Sequence, residues 1–150
     1  MEPLHILLID DEPGIVSALE AFLSREGHRV TCAGSKREAL LLAGEDAPQV
    51  VLTDLRLPDG SGVEVLEELS SSSDPVVSVV MTGFPTVGEV VRAVRAGAVD
   101  VLLKPFRLRE VKAAVDRCRR RRMDPAVPRE TVEAAAEPSR ISELRQLLWG

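Results

Sequence analysis

The pattern that most restricts the fold is an alternation: dense, short apolar runs recur along the chain, and helical periodicity follows each one. Leu4-His5-Ile6-Leu7-Leu8-Ile9, Val50-Val51-Leu52, Val76-Val77-Ser78-Val79-Val80-Met81 and Val101-Leu102-Leu103 are rich in Val, Ile and Leu on consecutive positions, as strands buried on both faces are. A fifth run, Arg29-Val30-Thr31-Cys32-Ala33, is more polar, as an edge strand would be. Ser35 to Glu38, Ser61 to Glu64 and Thr86 to Glu89 match the capping box, in which a hydroxyl and a glutamate satisfy two N–H groups at a helix start. Pro13 suits a first helical turn, and the helix it opens carries Ile15, Leu19, Phe22 and Leu23 on one face. Gly27 and Gly97 fall where helix C-termini belong. A last helix is expected from about Leu108 to Arg122, with Val111, Ala114, Val115 and Cys118 at helical spacing. Five β-α units in series, ending near Met123, predict an α/β fold: a doubly wound parallel sheet with helices on both faces. Residues 124–138, punctuated by Pro125, Pro128 and Pro138, read as a linker. Beyond it, 139–150 read as a short amphipathic helix carrying Ile141, Leu144, Leu147 and Leu148, so the domain over 1–123 is followed by a C-terminal helical tail.

Composition narrows the function classes. The 150 residues are 45% hydrophobic and 29% charged, which excludes wholesale disorder. Cys32 and Cys118 lack neighbours at metal-ligand spacing, so neither a zinc site nor a disulfide scaffold is expected. No apolar run reaches the roughly 18 residues of a membrane span, and Met1-Glu2-Pro3 is no basic leader. The expectation is a soluble, cytoplasmic, unprocessed chain without a membrane partner. A net charge of −5 and 3% aromatics disfavour nucleic acid as a partner. Arg117 to Arg122, with five arginines in six residues, reads as the solvated end of a helix whose dipole favours cations. His5 and His28 are isolated in sequence and read as a strand-edge and a turn residue; Phe84 and Phe106 read as packing residues, with Phe84 placed to gate access.

Open parallel sheets bind ligands at the carboxyl ends of their strands. Asp10 and Asp11 close the first strand, with Glu12 beside them, and Asp54 closes the third; Thr82 and Lys104 end the fourth and fifth. With the first and third strands adjacent, the acids converge. Two carboxylates ~4 Å apart repel by roughly 4 kcal/mol at an effective dielectric of 20. Such a cluster needs protonation or a cation, and Mg2+ suits it, since it takes one or two carboxylates and keeps several waters. Beside a divalent ion, one carboxylate can attack a phosphoryl group, while Lys104 and the Thr82 hydroxyl bind phosphoryl oxygens and Gly83 leaves room for them.

These residues, with Leu52-Thr53-Asp54-Leu55-Arg56-Leu57-Pro58-Asp59-Gly60, Thr82-Gly83 and Lys104-Pro105-Phe106, resemble the receiver domains of bacterial two-component response regulators. The Asp54 to Gly60 and Ala96-Gly97-Ala98-Val99-Asp100 stretches look most like receivers of the nitrogen-regulator kind. The resemblance implies a flavodoxin-like (βα)5 fold with strand order 2-1-3-4-5. It implies Asp54 as phosphoacceptor and Thr82 as switch hydroxyl, with Lys104 pairing with the phosphoryl group after a cis bond to Pro105. Asp11, Asp54 and the Arg56 backbone carbonyl would ligate Mg2+ directly, with Asp10 acting through water. The implied function is a signalling switch in a phosphorelay, taking its phosphoryl group from a sensor histidine kinase or a phosphotransfer protein. Such a protein catalyses its own phosphorylation and dephosphorylation without being a turnover enzyme.

One position departs from the pattern. Receivers usually carry an aromatic residue three positions before the lysine, and here it is Val101. The alternative is therefore a constitutive protein-interaction receiver with weakened switching. A small-molecule phosphatase would want a second acid at position 56, which is arginine, and a nucleotide site would want a Gly-rich first turn. Arg92, Arg95, Asp100 and Arg107 on the helix-4/strand-5/helix-5 face permit a homodimer.

Overall fold

The computed structural model describes residues 2–71 and 76–124. In chain order its elements are β1 (His5–Ile9), α1 (Pro13–Arg25), β2 (Arg29–Ala33), α2 (Lys36–Glu45), β3 (Val50–Asp54), β4 (Arg56–Leu57), β5 (Gly60–Ser61), α3 (Gly62–Ser70), β6 (Val77–Thr82), α4 (Val87–Arg95), β7 (Ala98–Leu103) and α5 (Leu108–Met123). The main sheet is five-stranded, in the order β2-β1-β3-β6-β7, and every pairing in it is parallel. With the two-residue strands β4 and β5 set apart as their own antiparallel pair, this is the expected 2-1-3-4-5 order. The small hairpin was not foreseen, because two-residue strands carry no periodicity to read. The last sheet strand is longer than Val101-Leu102-Leu103 suggests: it begins at Ala98, directly after Gly97.

Side chains alternate across the central strands and divide the core into two layers. Leu7, Ile9, Val51 and Val80 pack with Ala39 and Ala43 of α2, Val65 and Leu66 of α3, and Val90 and Ala93 of α4. Ile6, Leu8, Leu52, Val79 and Met81 pack on the opposite face with Leu19 and Leu23 of α1 and Val111, Ala114, Val115 and Cys118 of α5. Burial on both faces is what makes the central strands read as unbroken apolar runs.

The helix signals act largely as their chemistry predicts. Ser61 with Glu64 and Thr86 with Glu89 form complete capping boxes. Ser35 caps the Glu38 N–H, but the Glu38 carboxylate turns back to the Gly34 N–H at 2.8 Å, so this box is half-formed. Gly27 and Gly97 have φ of 93° and 110°, a region open to glycine at little cost, and each follows a helix C-cap. His5 is buried and bonded to Thr31 Oγ1 at 2.8 Å, while His28 Nδ1 accepts from the Leu4 N–H at 3.1 Å.

The arginine run is less solvated than its composition suggests. Arg117 pairs with Asp100, and Arg119 and Arg122 donate to the Glu2 and Gln49 carbonyls. Asp100 itself is buried in β7, which removes it from the surface formed by α4, β7 and α5, the face read from the sequence as helix 4, the last sheet strand and helix 5; Arg92 pairs with Glu67. Among the described residues no helix is long and apolar enough to cross a membrane. The helix expected over 139–150 lies outside the described residues, as does the expected linker beyond Asp124.

Candidate functional site

The sheet gathers the polar strand ends at one edge. Pairing of β1 with β3 places Asp10 and Asp54 side by side, and pairing of β3, β6 and β7 brings Thr82 and Lys104 to the same rim. A hydrogen bond of 2.9 Å from the Lys104 N–H to the Thr82 carbonyl closes that rim, and the Lys104–Pro105 peptide is cis.

Lys104 is the focus of the site. Its Nζ donates to Asp10 Oδ2 at 2.8 Å, Glu12 Oε1 at 2.9 Å and Asp54 Oδ2 at 3.0 Å. Burial works against the ammonium charge, yet the bonds to Asp10, Glu12 and Asp54 outweigh it and lift the lysine above its ordinary range. Burial also pushes the Asp10 carboxyl above its ordinary value, and the Lys104 bond and the Glu12 N–H, 2.9 Å from Oδ1, only partly offset it. The side chains of Asp10, Lys104 and Asp54 are 0%, 14% and 10% exposed, so water screens these charges weakly.

Oxygens of Asp10, Glu12 and Asp54 lie within 4.8 Å of one another, an all-oxygen donor set arranged around a positive charge. That chemistry fits a hard divalent cation. The trio includes Glu12, which follows the acidic pair in sequence; Asp11, expected to be a direct ligand, is exposed and stands outside the trio. The signal that could have found Glu12 is the turn into α1: the N–H of Glu12 donates to Asp10 Oδ1, which turns the glutamate back toward the strand ends.

The loop after Asp54 is pinned from several directions. Arg56 N–H donates to Asp54 Oδ1 at 3.2 Å, and Leu55 N–H to the Met81 carbonyl at 3.2 Å. Gly62 opens α3 so close beneath Asp54 that a Cβ there would stand 2.1 Å from the Asp54 carbonyl oxygen. The Arg56 guanidinium reaches across to the Phe84 carbonyl at 3.0 Å and Glu89 Oε1 at 3.2 Å. Thr82 is buried, and its Oγ1 accepts from the Phe84 N–H at 3.4 Å.

An open cleft of about 740 Å3 lies over Asp54, with Thr82, Lys104, Ile15, Phe84 and Phe106 in its walls. Phe84 was expected to be packed, but it is 86% exposed. The bonds that hold its backbone to Arg56 and Thr82 turn its ring outward at the mouth of the cleft. Val101 is buried within β7, in the core layer formed with α2, α3 and α4.

Comparison with known proteins agrees with this geometry. The family model for the response regulator receiver domain matches residues 6–116. The chain is 36% identical over 113 residues to the regulatory protein AtoC of Escherichia coli (strain K12), covering 75% of this chain and 24% of AtoC. It is 39% identical over 111 residues to the response regulator MprA of Mycolicibacterium vanbaalenii, covering 74% of this chain and 48% of MprA. The chain thus spans from a quarter to a half of the length of these curated relatives. Among solved structures, the beryllofluoride-activated NtrC4 receiver domain dimer superposes with a TM-score of 0.70 at 32% identity, covering 77% of this chain and 97% of that one.

Proposed function

The chain belongs to the response regulator receiver domain family, and from that premise we propose that Asp54 accepts a phosphoryl group from a histidine of a sensor kinase or phosphotransfer protein, in a Mg2+-dependent step that sets a signalling state. The observation that carries this reading is the Lys104 ammonium bonded at once to Asp10 and Asp54 on neighbouring strand ends, beside an open cleft.

A carboxylate oxygen of Asp54 attacks phosphorus as the bond from phosphorus to a histidine ring nitrogen breaks, and that nitrogen keeps the electron pair. Lys104 already contacts Asp54 and is placed to donate to a phosphoryl oxygen, with the Thr82 hydroxyl available to another. Asp54 and the Arg56 carbonyl would hold the metal directly, with Asp10 through water and Glu12 turned toward the same place; Asp11 would join them by turning inward from its exposed position. Mg2+, when bound, offsets the charge that keeps a carboxylate and a phosphoryl group apart. The relatives include a receiver solved as a dimer, and self-association through the α4, β7 and α5 face belongs to the same proposal.

Intact-mass measurement after incubation with acetyl phosphate and Mg2+ tests the chemistry. One added phosphate, lost in Asp54→Ala and lost when EDTA replaces Mg2+, is the expected result. A wild-type protein that stays unmodified, or an Asp54→Ala variant modified equally, refutes it.

A further inference from the structure

Asp59 stands at the tip of the β4–β5 turn, outside the cluster around Lys104. Its two carboxylate oxygens accept from the backbone N–H groups of Lys36 at 2.7 Å and Arg37 at 2.9 Å, the first two residues of α2. A helix has no intrahelical acceptor for its first donors, and Ser35 satisfies only the N–H of Glu38. Asp59 therefore completes the α2 cap from another part of the chain, where the helix dipole favours a carboxylate. Those two N–H bonds hold its carboxyl below the usual range.

The turn is also tightly seated. A Cβ on Gly60 would stand 2.9 Å from both Lys36 Cδ and Glu64 Oε1, so the chain passes closely between α2 and α3. At its other end the same segment leaves Asp54 through the Leu55 and Arg56 N–H bonds, and Arg56 pairs with Ser61 across the hairpin. The segment thus has two fixed points, the sheet edge at Asp54 and the start of α2 at Asp59, and Arg56 lies between them.

We propose that Asp59 is a positioning residue for cation binding, whose clamp on the start of α2 holds the Arg56 carbonyl in place relative to the Asp54 carboxylate. The inference rests on the reading of Asp54 and the Arg56 carbonyl as Mg2+ ligands. A carbonyl contributes no net charge, so its value as a ligand depends on being held ready, and Mg2+ tolerates little departure from octahedral geometry. Residues that orient metal ligands typically change affinity by 10–100-fold when removed.

The test is Mg2+ titration by calorimetry on the full chain as wild type, Asp59→Ala, Asp59→Asn and Asp46→Ala, the last removing an exposed carboxylate that pairs with Arg29 and lies 3.9 Å from His5, away from the Asp54 rim. Roughly tenfold weaker binding is expected for Asp59→Ala. Asparagine keeps one acceptor oxygen and should recover part of the loss, and Asp46→Ala should match wild type. Because coupling is reciprocal, Mg2+ should also slow hydrogen exchange at the Lys36 and Arg37 amides of the wild-type protein. Asp59→Ala binding Mg2+ within twofold of wild type overturns the proposal. Should that variant fail to fold, Lys36 and Arg37 exchange that ignores saturating Mg2+ overturns it instead. A wild-type protein that binds no Mg2+ at all sinks the reading of Asp54 itself, a separate result.

Discussion

Replacing Lys104 with methionine removes the cation at the centre of the acidic cluster while keeping a side chain of similar length. In the wild-type protein the ammonium lies 2.8 Å from Asp10 and 3.0 Å from Asp54, both largely buried, and 2.9 Å from Glu12, whose side chain is 58% exposed. The Glu12 contact is screened and contributes little. The remaining pair decides the outcome: two unit charges at the 4.8 Å limit of the cluster repel by about 3.5 kcal/mol at an effective dielectric of 20. Stranding a buried charge typically costs about 3–5 kcal/mol, but Asp10, already raised by burial, can take up a proton and limit the loss. We expect Lys104→Met to lose about 2–3 kcal/mol at neutral pH in EDTA, below that range because Asp10 can take up the proton. Urea unfolding followed by circular dichroism measures it. Mg2+ should return most of the loss, stabilising the variant more than the wild type, because a competing cation has gone. The deficit should also narrow as pH falls through the carboxylate range, since protonation abolishes the repulsion. A variant as stable as wild type in EDTA, or a deficit that Mg2+ leaves untouched, would refute the electrostatic account of this rim.

Two further outcomes follow from the packing. Gly62→Ala puts a methyl group against the Asp54 carbonyl and Thr53 Oγ1, and should destabilise the fold by about 2 kcal/mol or more, read as a lowered melting temperature. His28 is held below its ordinary pKa by burial and by Arg119, and its Nδ1 must stay unprotonated to accept from Leu4. The unfolded chain therefore takes up this proton first, so stability should be fully present above about pH 6.5 and decline as pH falls below it. His28→Asn should remove that slope from the unfolding midpoint plotted against pH.

The alternation of apolar runs and capped helices was legible in the linear chain because both signals are local. Burial on two faces leaves continuous Val, Ile and Leu, and a helix start needs its hydroxyl and its glutamate three residues apart. The polar residues at four strand ends were legible for a related reason, since a parallel sheet aligns its carboxyl ends whatever the connections between them. Glu12 entering the cluster, Phe84 turned outward, Asp100 buried against Arg117 and Asp59 capping a helix more than 20 residues away were not legible. Each depends on which surfaces meet once the sheet has formed. A carboxylate beside a turn has the same sequence signature whether it faces water, a cation or the open end of a distant helix. Periodicity and capping therefore specified the layers and the rim, while the choice of partner for each charged side chain arose only from contacts between segments remote in sequence.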